Sequence, residues 1–140
     1  MPMSEAAVFH WPVRVYYEDT DAGGVVYHAQ YVKYLERART EWLRAAGVEQ
    51  DVLLAEYGIV FAVTHIDIRY KRAARFNEAL SVSVAPRQTG RARIAFEQSI
   101  TRAGNPDEPL AVAAVEVACV EQTRFRACAV PDFLIAKLSL

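Results

Sequence analysis

The feature of this 140-residue sequence that most restricts its fold is a single long stretch with helical periodicity. Between Gln30 and Ala46, apolar side chains recur every three or four residues, with charged side chains between them. The apolar positions are Tyr31, Tyr34, Leu35, Ala38, Trp42, Leu43 and Ala46. This spacing predicts one amphipathic helix, followed by Gly47 as the stop residue, with an Arg37–Glu41 ion pair on its outer face.

Segments in which apolar and polar residues alternate lie on both sides of this helix and are predicted strands. One precedes the helix, at residues 11–19. The inward positions of the next three are Ile66, Ile68 and Tyr70, then Leu80, Val82 and Val84, then Ile94, Phe96 and Ile100. The last predicted strand, residues 110–120, is apolar on both faces, as expected inside a sheet. Because hairpin-length turns separate the later strands, we expect an antiparallel sheet.

The predicted fold class is therefore α+β, with one domain over residues 1–140, one long helix and a five-stranded antiparallel sheet. A single helix covers only one face of such a sheet. The remaining apolar surface would be unusual on a soluble monomer. We therefore expect a homo-oligomer, in which a second subunit covers part of the sheet.

Composition excludes several classes of protein. With sixteen basic and seventeen acidic residues, the net charge of −1 lacks the positive field of a nucleic-acid-binding protein. No apolar run reaches the length of a membrane helix, and the N-terminus lacks the order of a signal peptide. We therefore expect a cytoplasmic protein without an integral membrane segment. Cys119 and Cys128 are too few for a disulfide framework and are predicted to be structural thiols.

The loop between the first strand and the helix concentrates the polar chemistry of the chain. It contains Asp19, Asp21, the pair Gly23 and Gly24, and His28. The glycines permit a tight turn, and the start of the helix offers unpaired N–H groups that suit negative charge on an oxygen. A carboxylate just upstream can act as a base or a nucleophile. The residues alone therefore predict acid–base or acyl chemistry here.

Structural roles are also open for the same loop residues. Either Asp19 or Asp21 can cap a turn through its side-chain oxygen, and Asp19 can bond loop amides. His28 can be a structural histidine. A metal site formed by these three residues is disfavoured, because no fourth ligand occurs at a suitable spacing.

Residues 14–44, RVYYEDTDAGGVVYHAQYVKYLERARTEWLR, resemble the signature of hotdog-fold thioesterases of the 4-hydroxybenzoyl-CoA thioesterase type. The similarity is greatest to the acyl-CoA thioesterase branch that is encoded with the bacterial Tol-Pal envelope system. It implies the hotdog fold, a sheet wrapped around a long central helix, with subunits joined edge to edge into a dimer or tetramer. It also implies hydrolysis of thioesters of coenzyme A or of acyl carrier protein. No cofactor is implied, since coenzyme A is part of the substrate, and dehydratases and acyl-binding proteins of the same fold are the alternatives.

The resemblance also implies roles for individual residues. The catalytic carboxylate of the family matches Asp21, and its backbone oxyanion donor falls near His28, where this branch also has a histidine. Tyr17, Gly24 and Tyr31 are assigned to substrate binding, although the strand alternation favours a core position for Tyr17 over a place in the pocket.

Two groups of cations are candidates for the phosphates of coenzyme A. The first group is Arg69, Lys71, Arg72 and Arg75, and the second is Arg87, Arg91 and Arg93. The family often binds nucleotide phosphates near the second group, so Arg91 and Arg93 are preferred. The alternative is that these charges only solvate an exposed face of the sheet.

Overall fold

The computed structural model describes residues 8–140. Its strands are β1 (Phe9–Arg14), β2 (Ile59–Tyr70), β3 (Ala79–Gly90), β4 (Arg93–Arg102), β5 (Ala111–Glu121) and the two-residue β6 (Arg126–Ala127). Its α-helices are α1 (His28–Ala45), α2 (Gln50–Tyr57) and α3 (Asp132–Leu138), and a 3-10 helix spans Tyr17–Asp19.

The five long strands form one sheet in the order β1-β3-β4-β5-β2, and every neighbouring pair is antiparallel. The sheet curls around α1, whose inner side chains join those of the strands in a single buried cluster. The predicted α+β class and hotdog architecture are therefore confirmed. The interior position of the last long strand is confirmed too, because β5 lies between β4 and β2.

The long helix is present, and all but one of its predicted inward side chains are buried; Ala46, at its end, is half-buried. It begins at His28, two residues earlier than predicted, because His28 and Ala29 are exposed and lie outside the apolar stripe from which the helix was predicted. Gly47 follows it with a φ of 84°, as the stop signal predicted. The predicted Arg37–Glu41 pair is wrong, since Glu41 pairs with Arg44 instead.

The sequence analysis misplaced the end of the first strand and missed two short helices. β1 ends at Arg14, and Tyr17 lies in the 3-10 helix with 76% of its surface exposed, stacked on Phe76 with 3.9 Å between ring centroids. Tyr17 is therefore not a core residue. Helices α2 and α3 were not predicted, because short helices display too little periodicity. In α2 only Leu53 is buried.

The sheet has two edges, β1 and β2. β2 is twelve residues long and, among residues 8–140, pairs with β5 alone, so its other side offers backbone groups that no described strand pairs. Large apolar side chains on β2 are also exposed, including Val63 at 47% and Tyr70 at 48%. Between residues 8 and 140, no helix is long and apolar enough to cross a membrane.

The two cysteines lie side by side as free thiols, with 3.6 Å between their sulfur atoms. Cys119 is fully buried and Cys128 is half-buried. Burial, followed by the neighbouring Cys128, raises the pKa of the Cys119 thiol to about 12. Cys119 is thus a protonated packing group, in agreement with the prediction of a structural thiol.

Candidate active site

Asp21 stands at the tip of a closed turn. Its backbone carbonyl accepts a hydrogen bond from Gly24 N at 3.0 Å, and its own N–H donates to Val25 O at 2.9 Å. Its side-chain Oδ1 accepts a further bond from Gly23 N at 2.8 Å. Gly24 has a φ of 80°, which only glycine adopts at little cost, and a Cβ on Gly23 would lie 3.1 Å from Asp21 Oδ1. The two glycines therefore allow the turn to hold the Asp21 carboxylate in an exposed position.

Asp19 has the opposite environment, since only 4% of it is exposed. Its Oδ2 accepts a hydrogen bond from Tyr16 N at 2.9 Å, and its Oδ1 accepts one from Gln30 Nε2 at 2.7 Å. The Tyr34 hydroxyl is buried nearby and has no hydrogen-bond partner in the described part of the chain; burial and then the Asp19 carboxylate raise the pKa of Tyr34. Asp19 thus fastens the loop to the first turn of α1, which supports its structural interpretation.

The helix start at His28 lies at the other end of the same loop. The loop is closed by a bridge between Thr20 and Val26 and by a 2.9 Å bond from Tyr27 N to Asp19 O. Tyr27 occupies the N-cap position but provides no side-chain hydrogen bond to the helix. The first backbone N–H groups of α1 therefore lack a side-chain cap and suit an oxygen that carries negative charge.

An open groove borders His28, and Tyr31, Tyr70, Lys71 and Arg72 contribute to its lining. Tyr31 is 3% exposed and its hydroxyl accepts a bond from Ala74 N at 3.0 Å. The Tyr70 hydroxyl donates to the His28 carbonyl at 2.9 Å, which fixes β2 to the helix start. The groove thus combines aromatic surface with two cations next to the predicted oxyanion donor.

Within one chain, the predicted phosphate-binding residues Arg91 and Arg93 lie far from the loop that carries Asp21. Arg91 and Arg93 lie at the β3–β4 turn, and Arg93 is 3.8 Å from the Glu116 carboxylate. The Asp21 loop instead adjoins the opposite end of β3, where Val15 N donates to Glu78 O. The eleven steps between Ala79 and Gly90 span about 36 Å of strand. A shared site would therefore need Arg91 and Arg93 from another subunit.

Of the predicted substrate residues, Gly24 and Tyr31 belong to the loop and the groove, whereas Tyr17 stacks on Phe76 beside them. The sequence analysis did not predict that Tyr70 or Gln30 belongs to the site. It placed Tyr70 only in a strand. Gln30 could not be found from periodicity, because its contact with Asp19 joins positions eleven residues apart. Within the described residues, no group of three His, Cys, Asp or Glu side chains could hold a metal ion.

Comparison with known proteins identifies the family. A model described as the thioesterase-like superfamily matches residues 15–138. The chain belongs to this superfamily. It is 45% identical to the acyl-CoA thioesterase YbgC of Haemophilus influenzae over 123 residues, 88% of each protein. It is 42% identical to the acyl-CoA thioester hydrolase YbgC of Escherichia coli O157:H7 over 130 residues, 93% of this chain and 95% of that protein.

Solved structures of the superfamily share the fold. A probable thioesterase from Bartonella henselae is 31% identical with a TM-score of 0.82, over 89% of this chain and 99% of that one. A 1,4-dihydroxy-2-naphthoyl-CoA thioesterase from Synechocystis has a TM-score of 0.87 over 94% of this chain and 96% of that one, at 21% identity. The predicted resemblance to hotdog thioesterases is confirmed.

Proposed function

We propose that this member of the superfamily hydrolyses acyl-CoA thioesters to a carboxylic acid and coenzyme A, with Asp21 as the catalytic carboxylate. Water supplies the new oxygen on the carbonyl carbon, the carbon–sulfur bond breaks, and the coenzyme A sulfur leaves with a proton. The identity to two acyl-CoA thioesterases over most of the chain supports this substrate class.

The observation that carries the proposal is the contrast between the two loop carboxylates. Asp19 is buried and uses both oxygens for structural hydrogen bonds. Asp21 is exposed, and its Oδ2 has no hydrogen-bond partner among residues 8–140. A carboxylate that is oriented by its turn and still open to a ligand is what a base or nucleophile requires.

The proposed oxyanion donor is a first-turn backbone N–H of α1 at His28. A hydrogen bond from this group and the positive end of the helix dipole would stabilise negative charge on the thioester oxygen. Two routes fit this arrangement. Asp21 either attacks the carbonyl carbon and forms an anhydride that water cleaves, or it takes a proton from the attacking water.

The decisive test of the proposed function is release of free thiol from a panel of acyl-CoA substrates by the purified protein. Steady release of one thiol for each acid formed supports hydrolysis. Binding of acyl-CoA without thiol release would instead indicate an acyl-binding protein. Addition of water to an unsaturated acyl chain, with the thioester intact, would indicate a hydratase or dehydratase of the same fold.

We expect the native particle to be a dimer or a tetramer, assembled through the open edge of β2. In an antiparallel two-fold pairing, residues near the middle of β2 lie opposite their own copies, so Val63→Asp would place like charges together. Val52→Asp is the matched control, because Val52 is similarly exposed, at 44%, but lies on α2. Light scattering should show that only Val63→Asp weakens the oligomer, and a monomeric native protein at micromolar concentration would contradict the proposal.

We retain Arg91 and Arg93 as the proposed partners of the coenzyme A phosphates, contributed by a neighbouring subunit. Replacing both by Ala should raise KM for acyl-CoA and reduce its dependence on salt, while short pantetheine thioesters are hydrolysed normally. The double variant Lys71→Ala with Arg72→Ala tests the cations beside His28 in the same assay. If only this second variant shows the selective loss, the phosphates bind at the groove and the assignment to Arg91 and Arg93 is wrong.

Two further parts of the proposal follow from the family resemblance: a tetramer as the highest assembly and a link to the Tol-Pal system. The proposed cytoplasmic location rests instead on the sequence pattern described above. Acyl carrier protein is the second candidate for the thiol carrier. Parallel assays with matched acyl-CoA and acyl carrier protein substrates distinguish the two carriers.

A further inference from the structure

A second cavity lies between α1 and the sheet, away from the Asp21 loop. Trp42 and Leu43 of α1 form part of its wall, and Phe61, Ile94 and Phe96 of the strands form another part. Its polar lining includes Arg39, which follows His28 by eleven residues, about 16 Å along the helix axis. The cavity is thus distinct from the groove beside His28.

Arg39 is 8% exposed, which is unusual for an arginine. Its Nη1 donates a 3.0 Å hydrogen bond to Gln98 Oε1. Gln98 is 3% exposed and is held in turn, because its Nε2 donates to the carbonyls of Leu35 at 3.1 Å and Ser83 at 3.2 Å. The guanidinium is therefore buried and fixed in position before any ligand binds.

Among residues 8–140, no carboxylate forms an ion pair with this guanidinium. Its bond to Gln98 is the one hydrogen bond of the Arg39 side chain within these residues. The acidic side chain one turn earlier, Glu36, accepts a 2.6 Å bond from Thr40 instead. Burial lowers the pKa of Arg39, with Glu36 opposing this effect, but a guanidinium stays protonated in proteins. A buried charge without a counter-ion favours an anion beside it.

Apart from Arg39 and the polar side chains of Glu36, Thr40 and Gln50, the cavity is lined by apolar residues, which suit an apolar group of limited size. Its volume is about 130 Å³. An apolar cavity of about 150 Å³ is large enough for benzene. The Phe96 ring centroid lies 5.9 Å from the Arg39 guanidinium carbon and 5.3 Å from the Trp42 ring centroid, so aromatic surface directly adjoins the charge. The cavity is slightly smaller than the one that holds benzene, so its apolar part suits at most one ring or a short aliphatic chain, with an anionic end toward Arg39.

We propose that this cavity binds a small carboxylate with an apolar body, and that Arg39 is its counter-ion. The two oxygens of a carboxylate match the planar, forked donors of a guanidinium, and the apolar lining favours an anion with an apolar body. Glu36 is exposed at the rim of the cavity, where water and salt screen its charge. Two sources present the same chemistry: a free carboxylic acid, or an acyl group that ends in a second carboxylate. The second source rests on the proposed function.

Binding is tested on the whole protein by calorimetry with benzoate and hexanoate, and with benzamide and hexanamide as neutral analogues of the same shape. We expect the two acids to bind at least about tenfold more tightly than their amides, because hydrogen bonds to an ionised partner are the stronger ones. Equal affinities for acids and amides would overturn the proposal. Because this measurement needs no hydrolysis, it stands even if the proposed function fails.

The variant Arg39→Met should abolish the preference for acids without unfolding the protein, since Met is similar in length, removes a buried charge, and leaves Gln98 with its bonds to Leu35 and Ser83. Arg37→Met is the matched control, because Arg37 lies on the same helix but is exposed. Arg39→Lys keeps the charge but loses the planar donors, so an intermediate preference is expected. A preference that survives Arg39→Met in a folded protein contradicts the proposal.

The two sources are separated by kinetics with dodecanoyl-CoA and dodecanedioyl-CoA, which differ in a terminal carboxylate and are long enough to reach from the helix start at His28 toward Arg39. If Arg39 binds the end of the substrate, Arg39→Met lowers kcat/KM for dodecanedioyl-CoA alone, by about tenfold or more. If the ligand is a free acid, Arg39→Met leaves both substrates alike and removes only the binding of benzoate and hexanoate. Both results support the carboxylate site, and each assigns its source.

Discussion

Replacing Asp21 by Asn is expected to lower kcat by about 100-fold or more in a protein that remains folded. Asparagine has nearly the same shape and keeps an oxygen for Gly23 N, so the turn should persist. The negative charge is lost, and with it both direct attack on the carbonyl carbon and activation of a water. Thiol release under steady-state conditions, with KM measured in parallel, checks this result, since substrate binding should persist.

Glu18→Gln is the control for this prediction, because Glu18 is an exposed carboxylate three residues earlier in the same loop. It should leave kcat almost unchanged. His28→Ala should cost less than Asp21→Asn, because the proposed oxyanion donor is a backbone N–H that alanine retains. Near-normal turnover by Asp21→Asn, together with complete loss in a folded Asp19→Asn variant, would mean that the catalytic carboxylate is Asp19.

Replacing Asp19 by Ala is expected to lower the free energy of unfolding by about 2–4 kcal/mol, because it leaves buried polar groups without partners. The groups affected are Tyr16 N–H and the side-chain amide of Gln30. Asp19→Asn should be milder, since one oxygen can still accept from Tyr16 N while the Gln30 amide turns to accept the new N–H. Urea denaturation checks both variants, and the midpoint should fall without a change in slope.

Asp107→Ala provides the comparison, since Asp107 is exposed in the turn before β5. Exposed substitutions of this kind usually change the free energy of unfolding by no more than about 0.5 kcal/mol. If Asp107→Ala and Asp19→Ala lower the free energy of unfolding equally, the proposed structural role of Asp19 is wrong.

Much of the fold follows from periodicity, because a long helix and alternating strands bury side chains at regular intervals. Trp42 and Leu43 on α1, or Leu80 and Val82 on β3, illustrate this. Helix α2 could not be predicted in this way, since it buries only Leu53 and has no apolar stripe. Tyr17 misled the prediction because alternation continued for a few residues past the end of β1.

The candidate sites, like the fold, contain some features that the sequence predicts and others that it does not. The turn around Asp21 could be predicted, since adjacent glycines and acidic residues before a helix have a local cause. The burial of Arg39 could not, because its partner Gln98 lies 59 residues away on β4. Nor could the separation of Arg91 from Asp21, which depends on the register of β3 against β1 rather than on either motif.

The strand order also determines which parts of the chain can assemble early. β3, β4 and β5 are joined by short connections, so their pairing costs little chain entropy. The other two pairings join strands that are far apart in the sequence. β1 pairs with β3, for example Arg14 with Ala79, and β2 pairs with β5, for example Tyr70 with Ala111. Contacts between such distant positions slow folding. The loop that carries Asp21 follows β1 directly, so on a growing chain it can reach its final form only after most of the sheet has been synthesised.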